Sequence, residues 1–242
     1  MDYTTIGLLV TSACIASFIQ RVSGFGFGIA IMTVLPYIMN SYGEATTLSG
    51  LLAASQSLFV AIKMRKYISW RRLLPILFTF IVISYFSVIM VKSIDDKTLK
   101  HVLGVILIVV SVYFFFLSKR IKVKPTLPIQ VSMGTLSGLM GGFFAMQGPP
   151  AVLYFLSSEN TKERYIAISQ AYFVIGNIMM TIFRCKAGFL TMSVCQAWCF
   201  GILAVCLGTW LGSMVFNCLS TDKLRKIIYI FIGISGIVAL CA

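Results

Sequence analysis

Two glycine-broken stretches hold the residues best suited to chemistry in this chain. The first runs Gln20-Arg21-Val22-Ser23-Gly24-Phe25-Gly26-Phe27-Gly28 and is followed by Pro36. The second runs Gly141-Gly142-Phe143-Phe144-Ala145-Met146-Gln147-Gly148-Pro149-Pro150. Glycine and proline interrupt a helix, and an interruption in lipid leaves backbone N–H and C=O groups without partners, so it survives only against protein or a watery cavity. Paired breaks in two halves of a chain are the best sequence pointer to the binding site of a secondary transporter. Helix N-termini resuming near Phe27 and Pro149 would offer unpaired N–H groups and the positive dipole end to an anion.

Other polar groups lie on or near the same elements. Arg21 is the only charge between Thr5 and Met39. A buried arginine is costly, and its planar fork suits a pair of anionic oxygens; it equally suits the last carbonyls of a helix. Gln20, Ser23, Gln147 and Asn177 could add hydrogen bonds to a ligand or simply link helices. Ser169 and Gln170 belong to the same group, and Thr46, Thr47 and Ser49 hold the matching place in the first half. The expected substrate site therefore comprises Gln20, Arg21, Ser23, Gly24, Gly26, Gly28, Gly141, Gly142, Gln147, Gly148, Pro149 and Asn177, with no catalytic residue, metal or cofactor. Gly201, Gly208 and Gly212 are isolated and suit close helix packing instead.

The elements that must position these residues are membrane helices. Hydrophobic residues make up 59% of the 242 and charged residues only 11%, against roughly half and a quarter in soluble domains. Uncharged runs recur at 45–62, 73–91, 102–118, 165–183 and 227–242, each near the roughly 20 residues that span a bilayer core. The N-terminus has no basic n-region, so its first apolar segment is expected to be retained. The net charge of +13 sits in short loops between spans, as cytoplasmic positive bias predicts, and does not call for a nucleic-acid partner. The seven cysteines form no C-x-x-C pair and read as small buried hydrophobes. A single histidine, His101, excludes the usual metal cages and His-based triads.

The stretch Ile94-Asp95-Asp96-Lys97-Thr98-Leu99-Lys100 returns as Leu219-Ser220-Thr221-Asp222-Lys223-Leu224-Arg225-Lys226. Two membrane repeats follow, 1–120 and 121–242, joined by a basic linker and forming one transport domain. Thr5 to Met39 is too long for a single crossing, and Pro125 to Ser158 matches it. Either each re-enters as a hairpin beside three transmembrane helices, or the chain makes eight simple crossings. Lys and Arg divide 14 against 5 between the two sides in the hairpin arrangement, but 11 against 8 with eight crossings. Positive bias favours the hairpins, whose odd crossing number inverts the two halves.

At these motifs the chain resembles the sulfite exporter TauE/SafE family of membrane permeases. Phe18-Ile19-Gln20 with Gly24-Phe25-Gly26-Phe27-Gly28 and Pro36 is similar to the first-repeat signature of that family. Gly134-Thr135-Leu136-Ser137-Gly138-Leu139-Met140-Gly141-Gly142 leading to Gly148-Pro149-Pro150 is similar to the second. The chain departs at Arg21, where a small residue is common, and at Ala145 and Gln147, which interrupt a glycine run. The resemblance implies a multi-pass protein of the cytoplasmic membrane that moves sulfite, organosulfonates or related small sulfur-containing anions without ATP hydrolysis. Its partners would be that anion and membrane lipid, with a coupling ion and a homo-oligomer both open. The competing class is a membrane sensor or an intramembrane enzyme. An enzyme would need a nucleophile with its base or a cluster of acids, whereas all seven acids lie at loops or segment ends.

Overall fold

A computed structural model describes residues 2–113 and 125–215, with Ile237. Residues 114–124 of the basic linker and, Ile237 apart, the stretch from 216 onward, with the second copy of the Asp-Lys motif and the last apolar run, lie outside the described residues. Everything regular among the described residues is helical: α1 Tyr3–Ser23, α2 Phe27–Ile31, α3 Leu35–Ile38, α4 Tyr42–Lys63, α5 Trp70–Val91, α6 Asp96–Val112, α7 Leu127–Phe144, α8 Gly148–Ser158, α9 Lys162–Lys186 and α10 Met192–Val215.

Local chemistry marks the boundaries. Ser41 caps α4 by accepting from Glu44 N at 3.2 Å, Asp95 caps α6 through Thr98 N at 2.8 Å, and Thr161 caps α9 through Arg164 N at 3.3 Å. Such side-chain oxygens satisfy first-turn donors that no helical carbonyl can reach. Helix α1 ends at Gly24, in the left-handed conformation at φ 88°, and α7 ends at Ala145, left-handed at φ 56° without being glycine.

Five helices (α1, α4, α5, α9 and α10) are long and apolar enough to cross a membrane. Their outer faces carry large apolar side chains, among them Phe59, Phe78, Leu203 and Trp210. The interior holds Gln20, Gln56, Ser137, Gln147, Gln170, Asn177 and Arg184, all buried. Large apolar side chains on the outer faces, with polar groups kept inside among the hydrophobic core, suit lipid, which accepts so much exposed apolar surface. The protein is an integral, multi-pass membrane protein.

Helices α4 and α9 pack together at the centre; α1 lies along α10, and α7 lies along α5. Glycines make both outer contacts close. A Cβ at Gly134 or Gly138 would stand 2.8 Å from Thr79 or Ile83 of α5, and one at Gly212 would stand 2.8 Å from Arg21. Gly208 abuts the backbone of Cys14, so the packing role expected of Gly201, Gly208 and Gly212 agrees with their contacts. Gln130 near the start of α7 donates to Tyr154 Oη of α8 at 2.7 Å, which ties α8 to α7.

Three expectations need correcting. Of the five described cysteines, Cys185, Cys195, Cys199 and Cys206 are exposed and Cys14 is partly covered; on a lipid-facing surface a small apolar side chain can point outward. Arg184 belongs to the basic residues expected in short loops between spans, yet it is 1% exposed. Of the acids at segment ends, Glu44 and Glu159 are nevertheless buried, because neighbouring elements fold over those ends.

Candidate functional site

The two breaks meet. Gly28 at the start of α2 lies directly against the carbonyl oxygen of Ala145, leaving no room for a Cβ. Around this junction Gln20, Gly26, Phe27, Gly28, Ala53, Ala145, Gln147, Gly148, Phe173 and Asn177 enclose a cavity of about 20 Å³. That volume holds roughly one water molecule, so the junction leaves little space around its polar groups.

Each break carries one glutamine, and each is anchored to a central helix. Gln20 donates from Nε2 to Ser57 Oγ of α4 at 3.0 Å, while its Oε1 accepts from Phe27 N at 3.3 Å. Gln147 donates from Nε2 to the Phe173 carbonyl of α9 at 3.4 Å, and its Oε1, although buried, has no hydrogen-bond partner. An unpartnered buried amide oxygen costs about 1–3 kcal/mol. The helix start at α8 is poorer in donors than expected, because Pro149 and Pro150 have no N–H and leave Gly148 as the donor of that turn.

A second cavity of about 560 Å³ opens beside the junction. Gln20, Arg21, Ser23 and Gly24 line it from the end of α1, Val60 and Met64 from α4, and Glu159, Asn160, Thr161 and Lys162 from the turn before α9. Gln20 belongs to the walls of both cavities. Arg21 is half-buried and donates from Nε to Ser213 Oγ of α10 at 2.7 Å. Glu159 pairs with Arg72 at 3.3 Å and accepts from Ser69 Oγ at 3.4 Å, so the turn after α8 sits beside the segment after α4. Gln170 donates to the Gly24 carbonyl at 3.2 Å, tying α9 to the first break.

The structure thus brings Gln20, Gly26, Gly28, Gln147, Gly148 and Asn177 together at the junction and places Arg21, Ser23 and Gly24 on the open cavity. The Ser23 hydroxyl is engaged locally, with the Ile19 carbonyl at 2.7 Å and the Phe25 carbonyl at 2.5 Å. Gly141, Gly142 and Pro149 line neither cavity. Gly141 and Gly142 pack against Phe80 and Ser87 of α5, and Pro149 is buried in the first turn of α8.

Sequence reasoning missed Arg184. It donates to the Thr46 carbonyl at 3.0 Å and to the Gly141 and Gly142 carbonyls at 2.9 and 3.2 Å. Its only warning in the sequence was its place two residues before Lys186, which reads as a charged loop.

Among the described residues no cluster of His, Cys, Asp or Glu could hold a metal ion. No curated protein and no solved structure matches the chain. The family described as Sulfite exporter TauE/SafE matches residues 9–239 of the 242. With its apolar spans and buried polar interior, the chain belongs to the sulfite exporter TauE/SafE family, whose members are membrane transporters and not enzymes.

Proposed function

We propose that this protein is a secondary permease that moves sulfite or a related small sulfur-containing anion, such as an organosulfonate, across the cytoplasmic membrane. Its anion site is the junction of the two breaks, reached through the open cavity. The observation that carries this reading is the meeting of Gly28 with Ala145, which puts two helix breaks and two anchored glutamines around one small polar space. Breaks of this kind are tolerated in a membrane where they line a site.

The repeat organisation, 1–120 and 121–242 with opposite orientations and one re-entrant hairpin each, draws support from several features. The left-handed helix ends at Gly24 and Ala145 are 121 residues apart, as are the helix starts at Phe27 and Gly148. Exchanging α1 with α7, α4 with α9 and α5 with α10 turns each major packing pair into another pair that exists: α1–α10 into α7–α5, and α4–α10 into α9–α5. The Arg72–Glu159 ion pair, between the start of α5 and the turn after α8, supports the hairpins, which put those two ends on one side. Lys and Arg concentrate on that side, which makes it cytoplasmic and turns the open cavity toward the compartment an exporter loads from.

The geometry supports the following substrate contacts. Arg21 and Lys162 draw the anion into the cavity, Gln20 stands between cavity and junction, and Gln147, Asn177 and the resumed helices receive it beyond. A space of one water must widen to admit a sulfite, so transport includes separation of the two breaks. Purified protein in liposomes should exchange sulfite, with thiosulfate, sulfoacetate, taurine and sulfate tested as competitors. Vesicles that carry none of these anions faster than empty ones would remove the proposal.

A further inference from the structure

Arg184 stands out because its charge has no carboxylate partner among the described residues. Its hydrogen bonds all end on carbonyl oxygens, two from the last turns of α7 and one from α4. Burying a guanidinium is costly even in good geometry, and carbonyl dipoles at a helix C-terminus offset only part of that. What remains is a positive site next to the junction, on the side away from the open cavity.

Its surroundings are polar and unfinished. Ser49 Oγ and Tyr42 Oη are fully buried without hydrogen-bond partners. Ser49 lies between Thr46, whose carbonyl Arg184 holds, and Gly50, where a Cβ would stand 3.3 Å from the Arg184 Nη1. Tyr42 is within electrostatic reach of the same guanidinium. Orphaned hydroxyls are costly in this state and would be satisfied in one that admits water or an anion.

The two sides also differ at matching places. Lys63, 121 residues before Arg184, is exposed next to Met64 at the open cavity. The counterparts of Gly141 and Gly142 at the same offset are Gln20 and Arg21, which line that cavity. Arg184 therefore clasps a helix end on one side, while its counterpart Lys63 is exposed on the other.

We propose that Arg184 is the latch of the closed side and the anion's ligand on its way out. Its bonds to Thr46, Gly141 and Gly142 break when that side opens, and the guanidinium takes the substrate's oxygens in place of the carbonyls. This rests on the permease reading above. Its two terminal nitrogens, Nη1 now on the Thr46 carbonyl and Nη2 on the Gly141 and Gly142 carbonyls, suit two oxygens of a sulfite or sulfonate once those bonds are released.

The test uses the full chain without native cysteines, carrying Ser49→Cys, reconstituted in liposomes and probed from the Arg184 side with an impermeant thiol reagent. With Arg184 present, labelling is slow without substrate and rises several-fold during sulfite exchange. In Arg184→Gln labelling is fast without substrate, by about tenfold, a shift of roughly 1.4 kcal/mol in the closed-to-open balance; Arg184→Lys falls between. The KM for sulfite presented on the Arg184 side rises about tenfold in Arg184→Lys while that on the open-cavity side holds, which a purely structural cap would not produce. Equal labelling with and without sulfite in the Arg184 protein overturns the latch even if Arg184→Gln fails to insert. An inserted Arg184→Gln that labels like its parent overturns it as well. Absence of sulfite exchange in the Arg184 parent overturns the permease reading itself, so the two failures are distinct.

Discussion

Gly28 rests against the carbonyl oxygen of Ala145, so two segments more than a hundred residues apart touch backbone to backbone. No side chain fits between them. Gly28→Ala therefore has to push the breaks apart, at a cost of about 1–3 kcal/mol as overpacking of a tight core. The variant should melt several degrees lower in detergent and exchange sulfite far more slowly. Parent-like melting together with parent-like flux would show that the contact is dispensable.

Gly148→Ala separates stability from transport. A Cβ there would meet Phe173 and Phe25 at 3.8 Å, an ordinary contact distance. The helix start tolerates alanine, so melting should change by less than about 0.5 kcal/mol equivalent. The added methyl nonetheless enters the wall of a cavity of about 20 Å³. Flux should fall while folding holds, and normal flux would move the anion's route away from this junction.

The membrane class and the family were legible because both are written locally. Apolar runs show spans, and glycine with proline shows breaks. The meeting of Gln20, Gly28, Gln147 and Asn177 follows from the breaks, since each candidate lies within a few residues of one or on the facing helix. Arg184 was illegible for a physical reason. The depth of a helix end depends on what folds over it, here α4 and the end of α7, and nothing within several residues of Arg184 records that. Glu44 was missed the same way, its burial and its 2.8 Å bond from Thr191 Oγ1 depending on the turn before α10. The outward cysteines inverted a soluble-protein rule, because in lipid the apolar surface is the outer one.

Topology can be read chemically. The Arg72–Glu159 pair sets the ends of α4 and α8 side by side. In a cysteine-free background, Lys66→Cys and Asn160→Cys should both resist an impermeant thiol reagent on intact cells and both react in inverted vesicles. Labelling of Asn160→Cys alone on intact cells would eliminate the hairpin arrangement.

Asp95 supplies a pH signature outside the membrane. Thr98 donates to it from the backbone N and from the hydroxyl, each at 2.8 Å, and these bonds, the backbone one foremost, hold its carboxyl below the usual value. A depressed folded pKa means that the stabilisation is present above the unfolded value, about 3.9, and is lost as pH falls through the lower folded one. Melting of the parent should therefore drop more steeply below about pH 4 than melting of Asp95→Asn, which keeps a cap without the titration. Parallel pH profiles would show that Asp95 does not contribute.

Arg21 lies on the wall of the open cavity with one nitrogen held by Ser213 at 2.7 Å. If its charge draws the anion, its loss should act on binding and not on turnover. Arg21→Gln should raise the KM for sulfite presented on the open-cavity side by about tenfold to a hundredfold, the equivalent of the roughly 1.5–3 kcal/mol of a hydrogen bond to a charged group. Arg21→Lys keeps the charge but not the fork, and should fall between. Ser213→Ala isolates one helix contact: it removes the hydrogen bond to α10 without removing charge, so melting should fall slightly while KM stays near that of the parent. Raising salt with a non-transported electrolyte should narrow the gap between the parent and Arg21→Gln, because partly exposed charges are screened. An unchanged KM in Arg21→Gln, with reduced melting, would make Arg21 a helix anchor and leave the attraction to Lys162 and the dipoles of the broken helices.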